Sequence, residues 1–336
     1  MYEQPKESKT VFWVFLLIFI LILGGIGFWW FNKNNQETST SETPSTKSTD
    51  DNFSKSSKNN KNGPYYHQIY SASSPDGLKW TKLNKLIYDH ASVPGAIIKD
   101  AKIYLYFVDA SGDEDQLSVA ISADNGATWD KKKAVFDSMA SYDVVDPNPV
   151  VIDGKIRLYF LGDFMSKMAN KSKSQSFTMY WAESTDGINF NTPSKAYSEN
   201  EVITDPDTFQ TASDWRMFVS KERSMELLTS KDSGKTFTKD TAFSWNGGGI
   251  SSTVVFGSEY RTYYCGEGIN YAIGANSGKL TDKGVVLQET NKIACDPTIV
   301  KLPDSTYLMF YKTQTLNNTS SVGNNPTTET TSDSVK

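Results

Sequence analysis

Three Asp-Pro pairs, Asp146-Pro147, Asp205-Pro206 and Asp296-Pro297, each open a short apolar run. Proline suits the first residue of a strand, and Asp-Pro is also an ordinary turn, so a single pair says little. At equivalent positions of one array, three such pairs would bring three carboxylates to a common mouth. Like charges crowded there raise one another's pKa values, and the cluster suits either acid–base chemistry or a hard cation such as Ca²⁺. Other polar residues fall where loops would reach the same face: His90, Asp109, Asp163, Glu222, Arg223 and Glu267. Glu267 stands in Tyr263-Tyr264-Cys265-Gly266-Glu267-Gly268, where glycines let a backbone or a ligand come close. Tyr263, Tyr264 and Trp245 could offer stacking faces, although aromatics this frequent also serve as core. Asp207, just past Asp205, completes the candidate set.

The array that would position them is visible as a repeat. Ser74-Pro75-Asp76-Gly77-Leu78-Lys79-Trp80 returns at Ser122–Trp129, Ser184–Phe190 and Ser230–Phe237 as Ser-x-Asp, then Gly, then an aromatic. The phrase describes a hairpin turn: Ser and Asp bond the local backbone, Gly supplies positive φ, and the aromatic pins the turn to the sheet. No long segment has helical periodicity, and short apolar runs separated by turn signals read as all-β. Five inner hairpins follow, at 96–107, 150–160, 208–219, 253–264 and 298–311. A second hairpin comes after four of them. In three of these its turn is the repeat, and in the fourth Gly274 to Gly278 replaces it. The last inner hairpin runs into the tail, while Tyr65 to Tyr88 is an outer hairpin with no inner partner. Joining the two closes a five-bladed β-propeller through its N- and C-terminal strands and leaves no open sheet edge. The starts of the inner strands then share one face with the loops after the second strands. The repeats lie on the opposite face and are structural.

The repeated phrase resembles the Asp-box of sialidase-like propellers. Residues 65–312 look like the five-bladed propeller glycosidases, the arabinanase/xylosidase-like and invertase-like enzymes. The resemblance implies a glycoside hydrolase acting on a glycan through channel-mouth carboxylates. These would serve as base or nucleophile, pKa modulator and general acid, in pairs about 5–5.5 Å apart for retention or about 6.5–9.5 Å for inversion. Carried over to this chain, it implies Asp146, Asp205 and Glu267 as catalytic residues. By their place on the same face, His90, Asp207, Glu222, Arg223, Tyr264 and Asp296 are expected as substrate-binding residues, with no cofactor expected and a channel Ca²⁺ left open. The first blade departs from that pattern. Aligning residues 102–107 with 155–160 puts Val93 where Asp146 stands, and in those enzymes the first-blade Asp is the base or nucleophile. The alternative is a non-catalytic propeller that binds a carbohydrate or a protein; a third reading is a structural propeller of the cell envelope. Sialidase activity is not expected, because it needs an arginine cluster and Arg157, Arg216 and Arg261 lie inside second strands.

The rest of the chain is organised around a tether. Residues 11–31 form an uncharged apolar run, long enough at 1.5 Å per residue for a bilayer core of about 30 Å. Trp13 at one end and Trp29, Trp30 and Phe31 at the other suit the two interfaces, and the run ends without a signal-peptide cleavage site. Residues 1–10 are expected in the cytoplasm, 11–31 as a transmembrane helix, 32–63 as a disordered linker, 64–315 as the propeller and 316–336 as a disordered tail. This makes a single-pass, cell-membrane protein with an extracytoplasmic propeller, expected to be a monomer. The net charge of −5 argues against a nucleic-acid partner. Cys265 and Cys295 could pair in an oxidising compartment or stay as buried thiols.

Overall fold

The computed structural model describes residues 55–164, 176–275 and 279–316. The expected membrane span at 11–31, the linker before residue 55 and the tail after 316 lie outside the described residues. Among the described residues no helix is long and apolar enough to cross a membrane.

The chain begins with an outer hairpin, β1 (Gln68–Ser74) and β2 (Thr81–Asp89). The first full blade is β3 (Ala91–Lys99), β4 (Lys102–Asp109), β5 (Gln116–Ser122) and β6 (Asp130–Lys133), followed by the short β7 (Val135–Phe136). The second blade is β8 (Val145–Ile152), β9 (Lys155–Leu161), β10 (Phe177–Ser184) and β12 (Ser194–Glu199). The intervening β11 (Asn189–Phe190) pairs with β7 in parallel and joins the first two blades. The third blade is β13 (Thr204–Gln210), β14 (Trp215–Lys221), β15 (Ser224–Ser230) and β16 (Thr238–Lys239). The fourth is β17 (Gly249–Phe256), β18 (Glu259–Cys265), β19 (Ile269–Ala275) and β20 (Leu280–Leu287). The fifth combines both ends of the propeller: β21 (Lys292–Lys301) and β22 (Tyr307–Thr315) with β1 and β2, in the order β2-β1-β22-β21. Antiparallel pairing from Gln68–Thr313 to Ser74–Tyr307 closes the ring as the unpartnered hairpin predicts. Five apolar clusters fill the five seams between neighbouring blades, so each blade is stabilised by its neighbours.

The four repeats form turns as their residues dictate. In each, the Ser hydroxyl donates to the Asp carboxylate at 2.7–3.1 Å and accepts the Gly N–H at 2.8–3.0 Å. The Thr128 hydroxyl, with local N–H groups, holds Asp124 down to about 2. The turns also lock the seams. Tyr106, Tyr159 and Tyr263 each donate from the second strand of one blade to the Gly187, Gly234 or Gly77 carbonyl of the next, at 2.6–2.8 Å. At Gly187 (φ 77°) a Cβ would lie 2.6 Å from the Tyr104 ring, so this contact also requires glycine.

Two further features bear on the mouth. Residues 55–63, expected to belong to the linker, are seated on the propeller with a single helical turn at Ser57–Asn59, and a second turn follows at Pro64–Tyr66. Composition did not reveal this, because the segment is held by backbone hydrogen bonds and polar side chains rather than by apolar burial. Cys265 and Cys295 form a disulfide that staples the end of β18 to the start of β21. They lie close to Asp296, but their sulfurs are used by the bond.

Candidate functional site at the channel mouth

Each innermost strand carries, near its start, a residue in the left-handed region: Val93 (φ 47°), Asp146 (53°), Asp205 (50°), Ile250 (56°) and Asp296 (49°). Each sits at a break in the ladder to the second strand, which turns its side chain out of the pleat. Proline follows in four blades and Ser251 in the other. Asp tolerates this conformation because its short side chain bonds nearby backbone; a β-branched residue does not. Val93 and Ile250 are therefore strained, held by the symmetry of the ring rather than by their own preference. Val93→Asn is expected to stabilise the protein by about 1 kcal/mol in chemical denaturation. A loss of stability would show that the Val93 side chain contributes more in packing than it costs in strain.

The five residues and those that follow them surround a cavity of about 40 Å³, which also touches Gly95, Asn148, Ser252 and Thr298. That is room for a few waters. Pockets that engulf a ligand run to roughly 300–1,000 Å³. None of the lining residues is aromatic.

The acids at this mouth are not equivalent. Asp146 and Asp205 are half-buried, and the Asp205 N–H reaches Asp146 Oδ2 at 3.3 Å. Burial raises Asp146 to about 6, opposed by that N–H and reinforced by the charge of Asp296. Burial pushes Asp205 well above the usual carboxylate range, and the neighbouring Asp146 and Asp296 add to it. Both carboxyls are thus held above their ordinary range by burial and by neighbouring carboxylates, which favours their protonated forms. Asp296 is only 4% exposed, and neither of its oxygens accepts a directed hydrogen bond from the described residues. Its charge is balanced by Lys312, whose Nζ lies 2.6 Å from Oδ2.

One step further into the strands, the ring is clamped. The residues two places after the left-handed positions are Gly95, Asn148, Asp207, Ser252 and Thr298. Four of their side chains accept a backbone N–H of the next blade: Thr208 N–H on Asn148 (2.8 Å), Thr253 N–H on Asp207 (2.9 Å), Ile299 N–H on Ser252 (3.3 Å) and Ala96 N–H on Thr298 (2.9 Å). At the fifth seam the donor position is Pro149, which has no N–H, and the acceptor position is Gly95, which has no side chain. The two absences match. A Cβ on Gly95 would lie 1.9 Å from the Pro147 carbonyl oxygen, so the backbones meet directly there.

This geometry sorts the residues singled out by sequence. Asp146, Asp205 and Asp296 are brought together, as the Asp-Pro spacing predicts. Asp207 is buried, and its oxygens are taken by the Ser251 hydroxyl (2.8 Å) and by the N–H and hydroxyl of Thr253 (2.9 and 2.6 Å). It is a strut between blades three and four. Glu267 is exposed on the loop after β18, away from the cavity lining, and its carbonyl accepts from Gln288 at 3.0 Å. His90 stacks on Tyr65 with ring centres 4.0 Å apart and bonds the Tyr65 carbonyl through Nδ1. Glu222 and Arg223 are exposed in the β14–β15 turn. Tyr264 is buried, donates to Asp282 at 2.7 Å and meets the edge of Trp245, so it serves as core. Sequence reasoning missed Lys312. Its signal was a lysine directly after the apolar run Tyr307–Tyr311, at the mouth end of a second strand.

Comparisons with known proteins leave the likeness at the level of fold. No family model matches the chain, and no curated protein matches it. The GH43 BlXynB protein from Bacillus licheniformis superposes with a TM-score of 0.52 over 74% of this chain and 50% of that one, at 11% identity. The chain thus spans about half of that protein's length. RS223-Beta-xylosidase gives 0.47 over 66% of this chain and 91% of that one, at 13% identity. Trypanosoma rangeli sialidase gives 0.45 over 66% and 54%, at 10% identity. At 11% identity the likeness to the Bacillus licheniformis protein shows a shared fold.

Proposed function

We propose that this protein, built on the fold of the glycosidase-like propellers, binds a glycan at its channel mouth without hydrolysing it. The observation that carries the reading is Val93, which occupies the first-blade position of the ring where a base or nucleophile would stand. Two others support it. The 40 Å³ cavity suits a hydroxyl-bearing edge of a sugar rather than a whole ring, and Glu267 lies off the lining. Neighbouring Asp146 and Asp205, both raised by burial, suit sugar hydroxyls, which both donate and accept. A hydrolytic reading is favoured by one feature, two neighbouring carboxyls both raised above their ordinary range, as acid–base chemistry requires of at least one of its groups. The propeller is proposed to be extracytoplasmic, held to the cell membrane by residues 11–31; the Cys265–Cys295 disulfide supports an oxidising compartment.

A glycan array probed with the whole chain tests the reading. The wild-type protein is expected to select a set of neutral glycans, and Asp146→Ala or Asp205→Ala is expected to weaken capture roughly ten- to a hundredfold. A folded wild-type protein that retains no glycan, or folded variants that retain it unchanged, would overturn it.

A further inference from the structure

The chain reaches its first strand across the mouth face of the propeller. The Lys55 carbonyl accepts the Asp115 N–H at 2.7 Å, and the Ser57 N–H donates to Asp115 Oδ1 at 3.1 Å, both on the β4–β5 connection. Lys55 Nζ lies 4.1 Å above the Tyr142 ring, in the approach to β8. The Lys61 carbonyl accepts from Gln314 at 3.1 Å, near the end of β22. The Tyr65 ring stacks on His90, and the His67 carbonyl takes the Ala91 N–H at 3.1 Å where β3 begins. The Tyr65 N–H closes the segment on itself through Ser57 Oγ at 3.0 Å. All these contacts are at the mouth end. Ala91 pairs with Asp109 and Lys292 with Thr315, so the β4–β5 connection and the end of β22 flank the starts of the inner strands. Residues 55–67 thus form a strap over blades five, one and two. None of them lines the cavity, so the strap borders the mouth without blocking it.

We infer that the mouth is turned toward the membrane in which the chain is anchored, and that its ligand is a glycan headgroup carried by that same membrane. The inference rests on the anchor at 11–31 and on the binding role of the mouth. Residues 32–54 reach at most about 80 Å even when fully extended. A tether that left from the face of the repeats would turn the mouth outward; this one leaves from the mouth side. A headgroup in the same membrane then meets the mouth at a high effective concentration, without a new contact.

The test uses the full chain in phosphatidylcholine/phosphatidylglycerol nanodiscs, with a donor dye on Gly112→Cys in the β4–β5 connection or on Thr185→Cys in a repeat turn. Both native cysteines are bonded to each other, so only the introduced thiol reacts. Energy transfer to headgroup-labelled lipid is expected to place position 112 nearer the bilayer by about 20 Å, the length of a seven-residue strand. Equal distances, or the reverse order, would overturn the inference, as would a chain that does not stay with the lipid. In a second arm, the glycan selected on the array is coupled to a lipid and placed in the same nanodisc or in separate ones. Preferential capture in the same nanodisc is expected, and preferential capture in separate ones would overturn it. An array that selects no glycan while the dye distances hold removes the binding role alone and leaves the orientation standing.

Discussion

Gly95→Ala is expected to lower stability by roughly 3–5 kcal/mol, or to prevent folding, although Ala is the smallest possible change. The added Cβ would sit 1.9 Å from the Pro147 oxygen, 2.9 Å from its carbonyl carbon and 3.0 Å from Pro149 Cδ. Two of these are backbone atoms of the next blade, so no side chain can rotate away. Relief would require the first two blades to part, exposing the apolar seam that includes Tyr106, Leu158 and Phe160. The other four seams have a side-chain acceptor and a backbone donor where this one has Gly95 and Pro149. Thermal unfolding of purified Gly95→Ala measures the effect. A melting temperature within a degree or two of wild type would show that the first seam is not closed by direct backbone contact.

Asp205→Asn is expected to do the opposite at neutral pH and stabilise the protein while weakening the site. The folded state raises the pKa of Asp146 to about 6 and holds that of Asp205 well above the usual value of 3.8, so it binds protons more tightly than the unfolded chain. For a carboxyl raised in this way, the favourable contribution is complete below about pH 4. It is lost as pH climbs through 6 and beyond. Wild-type stability should therefore fall between pH 4 and 8. The asparagine side chain cannot ionise, so the variant should show a shallower fall and be more stable at pH 8 by on the order of 2 kcal/mol. Urea denaturation at a series of pH values checks both slope and offset. A variant less stable than wild type at pH 8, with the same slope, would mean that Asp205 is held as a structural carboxylate rather than as a carboxyl penalised by burial.

Much of the fold is legible in the sequence because it is written in local chemistry. The repeats encode their own turns, so they mark blade edges, and the hairpin at Tyr65–Tyr88 without an inner partner implies the closing pairing of β1 with β22. The Asp-Pro pairs are legible for a similar reason: left-handed Asp followed by Pro is a local device for starting the inner strand. The equivalence of Val93 follows from alignment of neighbouring strands, and its φ of 47° matches the ring. What escaped reading depends on partners far apart in the chain. Asp207 looks like a site residue because it neighbours Asp205, yet the break in the ladder turns Asp205 alone out of the pleat and leaves Asp207 bonded to Thr253 of the next blade. Lys312 becomes an internal counter-ion only when β22 lies beside β21. Glu267 sits between glycines that suggest close approach, but the bend they allow carries it outward. The strap at 55–67 resembles linker in composition, because its hold is polar and only its partners reveal it.

Turnover of aryl glycosides separates a binding mouth from a hydrolytic one most directly. Wild-type protein is assayed between pH 5 and 8 on aryl xylosides, arabinofuranosides, glucosides and sialosides, beside the Asp205→Asn variant. With Val93 in the first-blade position, Asp296 paired with Lys312 and Glu267 off the cavity lining, release should equal the uncatalysed background for both proteins. Release by the wild type that is abolished in Asp205→Asn would contradict this and make the mouth an active site.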